Sequence, residues 1–270
     1  TELVQAALAR GLRILGVTYH DSTGGIEEAL AAARGSSLEV WPGVEISTDV
    51  PRGEVHLLGY FIDYRDEGFQ RTLAALRNGR KERARRMVDK LAELGMPVDW
   101  SRVVQIAGGG AIGRPHVAQA MVERGYVPSV AEAFDLYLGR NGPAYVERYK
   151  LTPVEAAQLV LGAGGLPVLA HPVIVGESGA GTALPPYIAE ALPGLVQAGL
   201  AGLEAYYAGY PPALTRYLEN LASQLGLVPT GGSDFHGGDL SADLGSVFVP
   251  PQAAEGLRRR QAQRSGSWQT

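Results

Sequence analysis

The chain has 270 residues, 46% of them hydrophobic and 19% charged, with a net charge of -4. That is the make-up of one large folded domain or two small ones, with no global basic field to draw nucleic acid. It contains no cysteine, which excludes disulfides, thiolate metal sites and cysteine nucleophiles.

Thr1 can cap a helix that runs to Arg10, with Leu3, Ala6, Ala7 and Leu8 as its apolar stripe. Leu12 to Thr18 predicts a short strand that finishes at Tyr19-His20-Asp21. A helix over 26–34 and a strand over 38–41 follow, and Gly43 to Ser47 reads as a separate strand with Val44 and Ile46 facing away from Glu45. Val55 to Phe61 is apolar around His56.

From Glu67 to Gly95 the pattern is helical and basic, with Arg77, Arg80, Lys81, Arg83, Arg85 and Arg86. Asp99 to Arg124 is helical again, broken by glycines 108–110 and 113, and a short helix spans 129–138. The region 66–148 therefore reads as a helical insertion between two barrel parts, 1–65 and 149–270.

Thr152-Pro153-Val154-Glu155 is a capping box with Pro at the first helical position. The strand Leu166 to Ala170 ends at His171-Pro172. A helix over 185–198, a strand over 203–207 containing Glu204, and a helix over 211–225 lead to Gly231-Gly232-Ser233-Asp234-Phe235-His236. Val247 to Val249 predicts a last strand and 251–263 a last helix. Repeated strand–helix units predict parallel strands with right-handed crossovers. Polar residues recurring at strand ends favour an α/β barrel over an open sheet.

Of the five histidines, His20, His171 and His236 follow or end an apolar strand. One such histidine is an ordinary core or surface residue; three, joined by Asp234, Glu45 and His56, converge at one barrel mouth. Imidazoles and carboxylates without thiolates suit Zn, Mn or Fe, and Glu45 is the carboxylate to share between ions.

Other features have two readings. The arginine-rich helix is a solvated face or an electrostatic funnel for a nucleotide or RNA end. Glycines 108–113 lack the Lys-Ser/Thr of a phosphate loop and read as a hinge. Glu204 pairs within the core or serves the site. Tyr206 and Tyr207 pack or stack on a base.

On Thr18-Tyr19-His20-Asp21, Gly43-Val44-Glu45-Ile46-Ser47, His56-Leu57-Leu58-Gly59-Tyr60, Ala170-His171-Pro172 and Gly232-Ser233-Asp234-Phe235-His236, the chain resembles the polymerase and histidinol phosphatase (PHP) family of phosphoesterases. Gly113-Arg114-Pro115-His116 and the stretch 145–153 resemble the subfamily acting on nucleoside 3′,5′-bisphosphates and on the 5′ ends of short RNA.

The resemblance implies a distorted (β/α)7 barrel with a helical insertion and up to three divalent ions. Glu45, His56 and His171 would hold one; Glu45 and Asp234 a second; His20 and His236 a third. Glu45, His20, His171, Asp234 and His236 are also the implied catalytic set. Arg114 and a protonated His116 would grip a substrate phosphate.

Two departures stand out. The family's opening His-x-His strand and nearby acid have no match in this chain, which starts inside the helix that follows: either the sequence is truncated there or the strand is lost, and only its true loss would take ligands from the second and third ions. Tyr19 stands where the family commonly has Asp, with Asp21 as a partial substitute.

The expected partner is a nucleotide or short RNA, with no membrane and no stable DNA complex. No apolar run reaches spanning length and no signal peptide is evident, so a cytoplasmic protein is expected. The alternatives are a small-metabolite phosphatase of the histidinol-phosphate type and a degenerate, non-catalytic nucleotide-binding module.

Overall fold

The computed structural model of the chain describes residues 1–50, 53–110, 112–147, 150–173, 183–237 and 242–266, the side chains of the last two excepted. Arg148 and Tyr149, where the insertion was expected to end and the 145–153 motif to run, lie outside them. So does Ala111 in the glycine run. The chain divides into two compact units, one of residues 1–69 with 151–270, the other of residues 70–150.

The first unit is built on a six-stranded sheet in the order β1 to β6. Its strands are β1 (Ile14–Val17), β2 (Glu39–Val50), β3 (Gly53–Tyr60), β4 (Leu166–Leu169), β5 (Gly202–Tyr207) and β6 (Val228–Gly232). Helices α1 (Glu2–Ala9) and α2 (Ile26–Ala32) flank β1. Later in the chain come α7 (Pro153–Gly162), α8 (Pro186–Gln197), α9 (Pro212–Gln224) and α10 (Pro251–Gly266).

The β1–β2, β4–β5 and β5–β6 pairs are parallel, but β2–β3 and β3–β4 are antiparallel, so the all-parallel expectation fails in the middle. Val50 pairs with Gly53, and a connection that short can only reverse the chain. The separate strands expected at 38–41 and 43–47 are one strand, β2, of 12 residues.

Among the described residues there is no seventh strand, and no pairing closes the sheet. The expected strand at 247–249 is irregular, with Phe248 80% exposed. Thr1 precedes α1, but its hydroxyl reaches Glu28 and makes no cap bond.

Directly paired residues share a face of the sheet. The register therefore puts Glu45, His56, Leu58, Tyr60 and Val168 on one face, with Glu204 and Thr230. Trp41, Leu58, Tyr60, Leu166, Val168, Val228 and Leu257 of α10 fill that face with a buried cluster. The carboxylate of Glu45 thus rises from an apolar floor.

The second unit holds most of α3 (Glu67–Glu93), with α4 (Trp100–Ile106), α5 (Arg114–Glu123) and α6 (Val130–Ala133), which continues into a π-helical turn, Phe134–Leu138. Its core is Met87, Leu91, Val103, Val117, Met121 and Leu138. The helical stretch over 99–124 is broken at the glycines, as expected: α4 and α5 are parted by Gly108 and Gly109 at φ 56° and 85°, conformations that favour glycine. No described helix is long and apolar enough to cross a membrane.

The capping box of α7 forms as the sequence predicts. The Thr152 hydroxyl accepts from the Glu155 amide (3.3 Å) and the Glu155 carboxylate accepts from the Thr152 amide (2.8 Å). Replacing Thr152 with Ala is expected to cost about 1 kcal/mol, read as a shift in the urea midpoint with unchanged slope; an unchanged midpoint would contradict the cap.

Candidate metal centre

His20 follows β1 and is carried to Glu45 by backbone bonds. The Glu45 amide donates to the Tyr19 carbonyl (3.1 Å), and the Asp21 amide donates to the Glu45 carbonyl (2.8 Å). Asp21 is fully buried, with φ 50°. Tyr19 serves through its backbone: its side chain is exposed and its ring covers Gly25. Tyr19 thus contributes its carbonyl here and not its side chain.

Three imidazoles surround the buried Glu45 carboxylate. His56 Nδ1 donates to Oε1 at 2.7 Å, His171 Nε2 lies 3.3 Å from the same oxygen, and His20 Nδ1 lies 3.6 Å from Oε2. Burial alone would raise the Glu45 pKa. The charge of His20 and the bonds from His171 and His56 outweigh it and hold the group well below the usual carboxylate range. Burial likewise works against a charged His56, but hydrogen bonds to Glu45 and Glu54 lift its pKa to about 9.

His171 and Asp234 close the other side. His171 follows β4 at φ 20°, and its amide donates to Glu204 Oε2 at 2.7 Å. Glu204 is buried on β5, and burial raises its pKa to about 7. Asp234 follows β6 at φ 52°, and its Oδ2 accepts from the Tyr207 hydroxyl at 2.8 Å. His236 Nδ1 bonds the Asp234 carbonyl (2.7 Å), and its Nε2 stands 3.4 Å from His20 Nε2.

The six residues expected at the barrel mouth therefore form one chain of contacts, from Asp234 through His236 and His20 to Glu45, and on to His56 and His171. Asp234 contacts Tyr207 and His236. Metal–ligand bonds of about 2.0–2.2 Å set neighbouring donors roughly 3–4 Å apart. Donors of His20, Glu45 and His56 all lie within 4.8 Å of one another. A buried anion ringed by imidazoles fits a divalent cation in both spacing and donor chemistry.

Comparison with known proteins agrees. The chain is 32% identical over 254 residues to a 3′,5′-nucleoside bisphosphate phosphatase of Chromobacterium violaceum, covering 93% of this chain and 87% of that one. The chain belongs to the PHP family. It is also 30% identical over 236 residues to a 5′-3′ exoribonuclease of Haemophilus influenzae, covering 87% of this chain and 84% of that one. A crystal structure from Bifidobacterium adolescentis, assigned as a metal-dependent phosphoesterase, superposes with a TM-score of 0.82 at 30% identity, over 96% of this chain and 90% of that one. No protein-family model matches the chain.

The sequence Gly113-Arg114-Pro115-His116 lies in the second unit. Arg114 stacks on Phe134, its guanidinium carbon 5.3 Å from the ring centroid. His116 differs from the expected protonated imidazole. Burial lowers its pKa, nearby Arg80 lowers it further, and its Nδ1 accepts the Gly113 amide at 3.0 Å. A nitrogen that accepts an N–H carries no proton, so the neutral ring presents Nε2–H as a donor.

One residue beside these donors, Glu54, escaped the sequence reading, and Tyr207, read there as packing or base-stacking, bonds Asp234 through its hydroxyl. Glu54, 3.7 Å from His56 Nε2, stands two residues before His56 on β3 and so shares its face; that alternation was the available signal. The contact of Tyr207 with Asp234 had no local signal.

Two shifts give the metal-free protein a pH dependence of one sign. His56, raised from 6.5 to about 9, contributes stability fully present below pH 6.5 and lost as pH rises through 9. Glu204, raised from 4.5 to about 7, holds a proton that the unfolded chain releases, so it too loses stability as pH rises from 4.5 through 7. The melting temperature of chelator-treated protein should fall from about pH 6 to about pH 9, and His56→Asn should flatten the upper part of the fall. A flat or rising curve would contradict both assignments.

Proposed function

We propose that this chain is a metal-dependent phosphoesterase that hydrolyses nucleoside 3′,5′-bisphosphates or releases nucleotides from the 5′ ends of short RNA. The observation that carries the reading is the convergence of His20, His56 and His171 on the buried carboxylate of Glu45. The names of the two relatives supply the substrate class.

In this reading Glu45, His56 and His171 hold one cation. Asp234 joins Glu45 at a second, and His20 and His236 serve a third. Their nitrogen and oxygen donors suit Mn, Zn or Fe. Divalent cations bound there supply Lewis acidity toward water and toward the phosphoryl oxygens. Glu204 fixes the backbone that carries His171, and Asp21 fixes the strand end that carries His20.

Arg114 and His116 bind a substrate phosphate. The guanidinium supplies charge and a planar fork, and neutral His116 supplies one N–H. The reading places the protein in the cytoplasm with nucleotide or short RNA as its partner.

Purified protein with added manganese should release phosphate from adenosine 3′,5′-bisphosphate, with His171→Ala as the blank. Arg114→Ala should raise KM by about tenfold or more, the cost of lost charge-assisted bonds. No release from the bisphosphate and none from a 5′-phosphorylated oligoribonucleotide would overturn the reading. Release from histidinol phosphate alone would replace it with a small-metabolite phosphatase.

A further inference from the structure

Strand β5 sends two polar side chains, three residues apart, to the same site. In a regular strand, Glu204 and Tyr207 would face opposite sides of the sheet. The pairing with β6 slips between them: Glu204 stands opposite Thr230, whereas Tyr206 stands opposite Gly231. Ala205 is the extra residue of a β-bulge, a device that re-aims the side chains beyond it.

The two tyrosines divide accordingly. The Tyr206 hydroxyl donates to Glu219 on α9 at 2.6 Å, while the Tyr207 hydroxyl donates to Asp234 at 2.8 Å. The Tyr207 ring also lies 5.5 Å from that of His171 and 5.1 Å from that of Tyr210. Gly231 permits the bulge, because a Cβ there would fall 2.0 Å from the Tyr206 carbonyl oxygen.

We propose that Tyr207 is a positioning residue of the hydrolytic site, aimed by the β5 bulge so that its hydroxyl orients the Asp234 carboxylate and its ring packs against His171. The proposal rests on the reading of Asp234 and His171 as metal ligands. Asp234 sits in a left-handed backbone conformation on a glycine-flanked loop, where the Tyr207 hydroxyl holds Oδ2 at 2.8 Å while Oδ1 lies 3.5 Å from His236 Nδ1. Groups that orient metal ligands in this way are commonly worth about 10–100-fold in metal affinity or activity.

The test is Tyr207→Phe, which removes only the hydroxyl. Calorimetric titration of manganese into the metal-free protein should show binding about 10–100-fold weaker than in the parent. kcat on adenosine 3′,5′-bisphosphate should fall by a similar factor, with KM within about twofold. Tyr206→Phe, which removes the bond to Glu219, should leave both at parent values.

In an Asp234→Ala background, Tyr207→Phe should cost no further affinity, because the hydroxyl acts through that carboxylate. Parent-like affinity and kcat in Tyr207→Phe, or an equal loss in the Asp234→Ala background, would overturn the proposal. If the parent binds manganese but hydrolyses no nucleotide, the substrate reading fails and Tyr207 is still judged on affinity. If the parent binds no manganese, both fail.

Discussion

A carboxylate cannot be buried and ionised without compensation. Leaving water costs it several kcal/mol, roughly, even after the protein relaxes. Glu45 stands on an apolar floor of Leu58, Tyr60 and Val168 and is only 3% exposed. What keeps it ionised is the ring of His20, His56 and His171. Those imidazoles come from the end of β1, the body of β3 and the end of β4, so the sheet must hold its register for the charge to be tolerated. Removing the carboxylate would leave three imidazoles facing one another, and removing the imidazoles would leave a buried charge. The site and the fold are therefore coupled through one residue.

The backbone around this carboxylate departs from regular geometry where donors are needed. Asp21, His171 and Asp234 have positive φ, and all three adjoin or belong to the donor set. Conformations of this kind persist only where neighbours enforce them. Here the enforcing bonds are visible: Asp21 to the Glu45 carbonyl, His171 to Glu204, and Asp234 to Tyr207. The β5 bulge belongs to the same set of departures, since it lets one strand brace two different donors.

Donors beside an apolar run could be read from the chain directly. His20, His171 and Asp234 each stand where a buried strand stops, and the capping box at Thr152 specifies its own geometry. Pairing direction was not legible, because an apolar run such as Val55 to Tyr60 looks the same in a parallel and an antiparallel neighbourhood. The short Val247–Val249 run carries the β-branched signature of a strand, yet Phe248 between its valines is left in solvent. Nor could the sequence show that Gly113 donates to His116, which sets that ring neutral, or that the slip after Glu204 turns Tyr207 toward Asp234. Both depend on partners fixed only once the backbone is in place.

The central claim is that the imidazoles around Glu45 mark a divalent-cation site. A crystal structure of the protein grown with manganese, with anomalous scattering measured at a wavelength sensitive to that metal, addresses it directly. The account predicts an anomalous peak within about 2.0–2.3 Å of a Glu45 carboxylate oxygen and of a nitrogen of His56 or His171, with the direct His56–Glu45 hydrogen bond replaced by bonds to the ion. No peak at Glu45, with that hydrogen bond still intact, would contradict it.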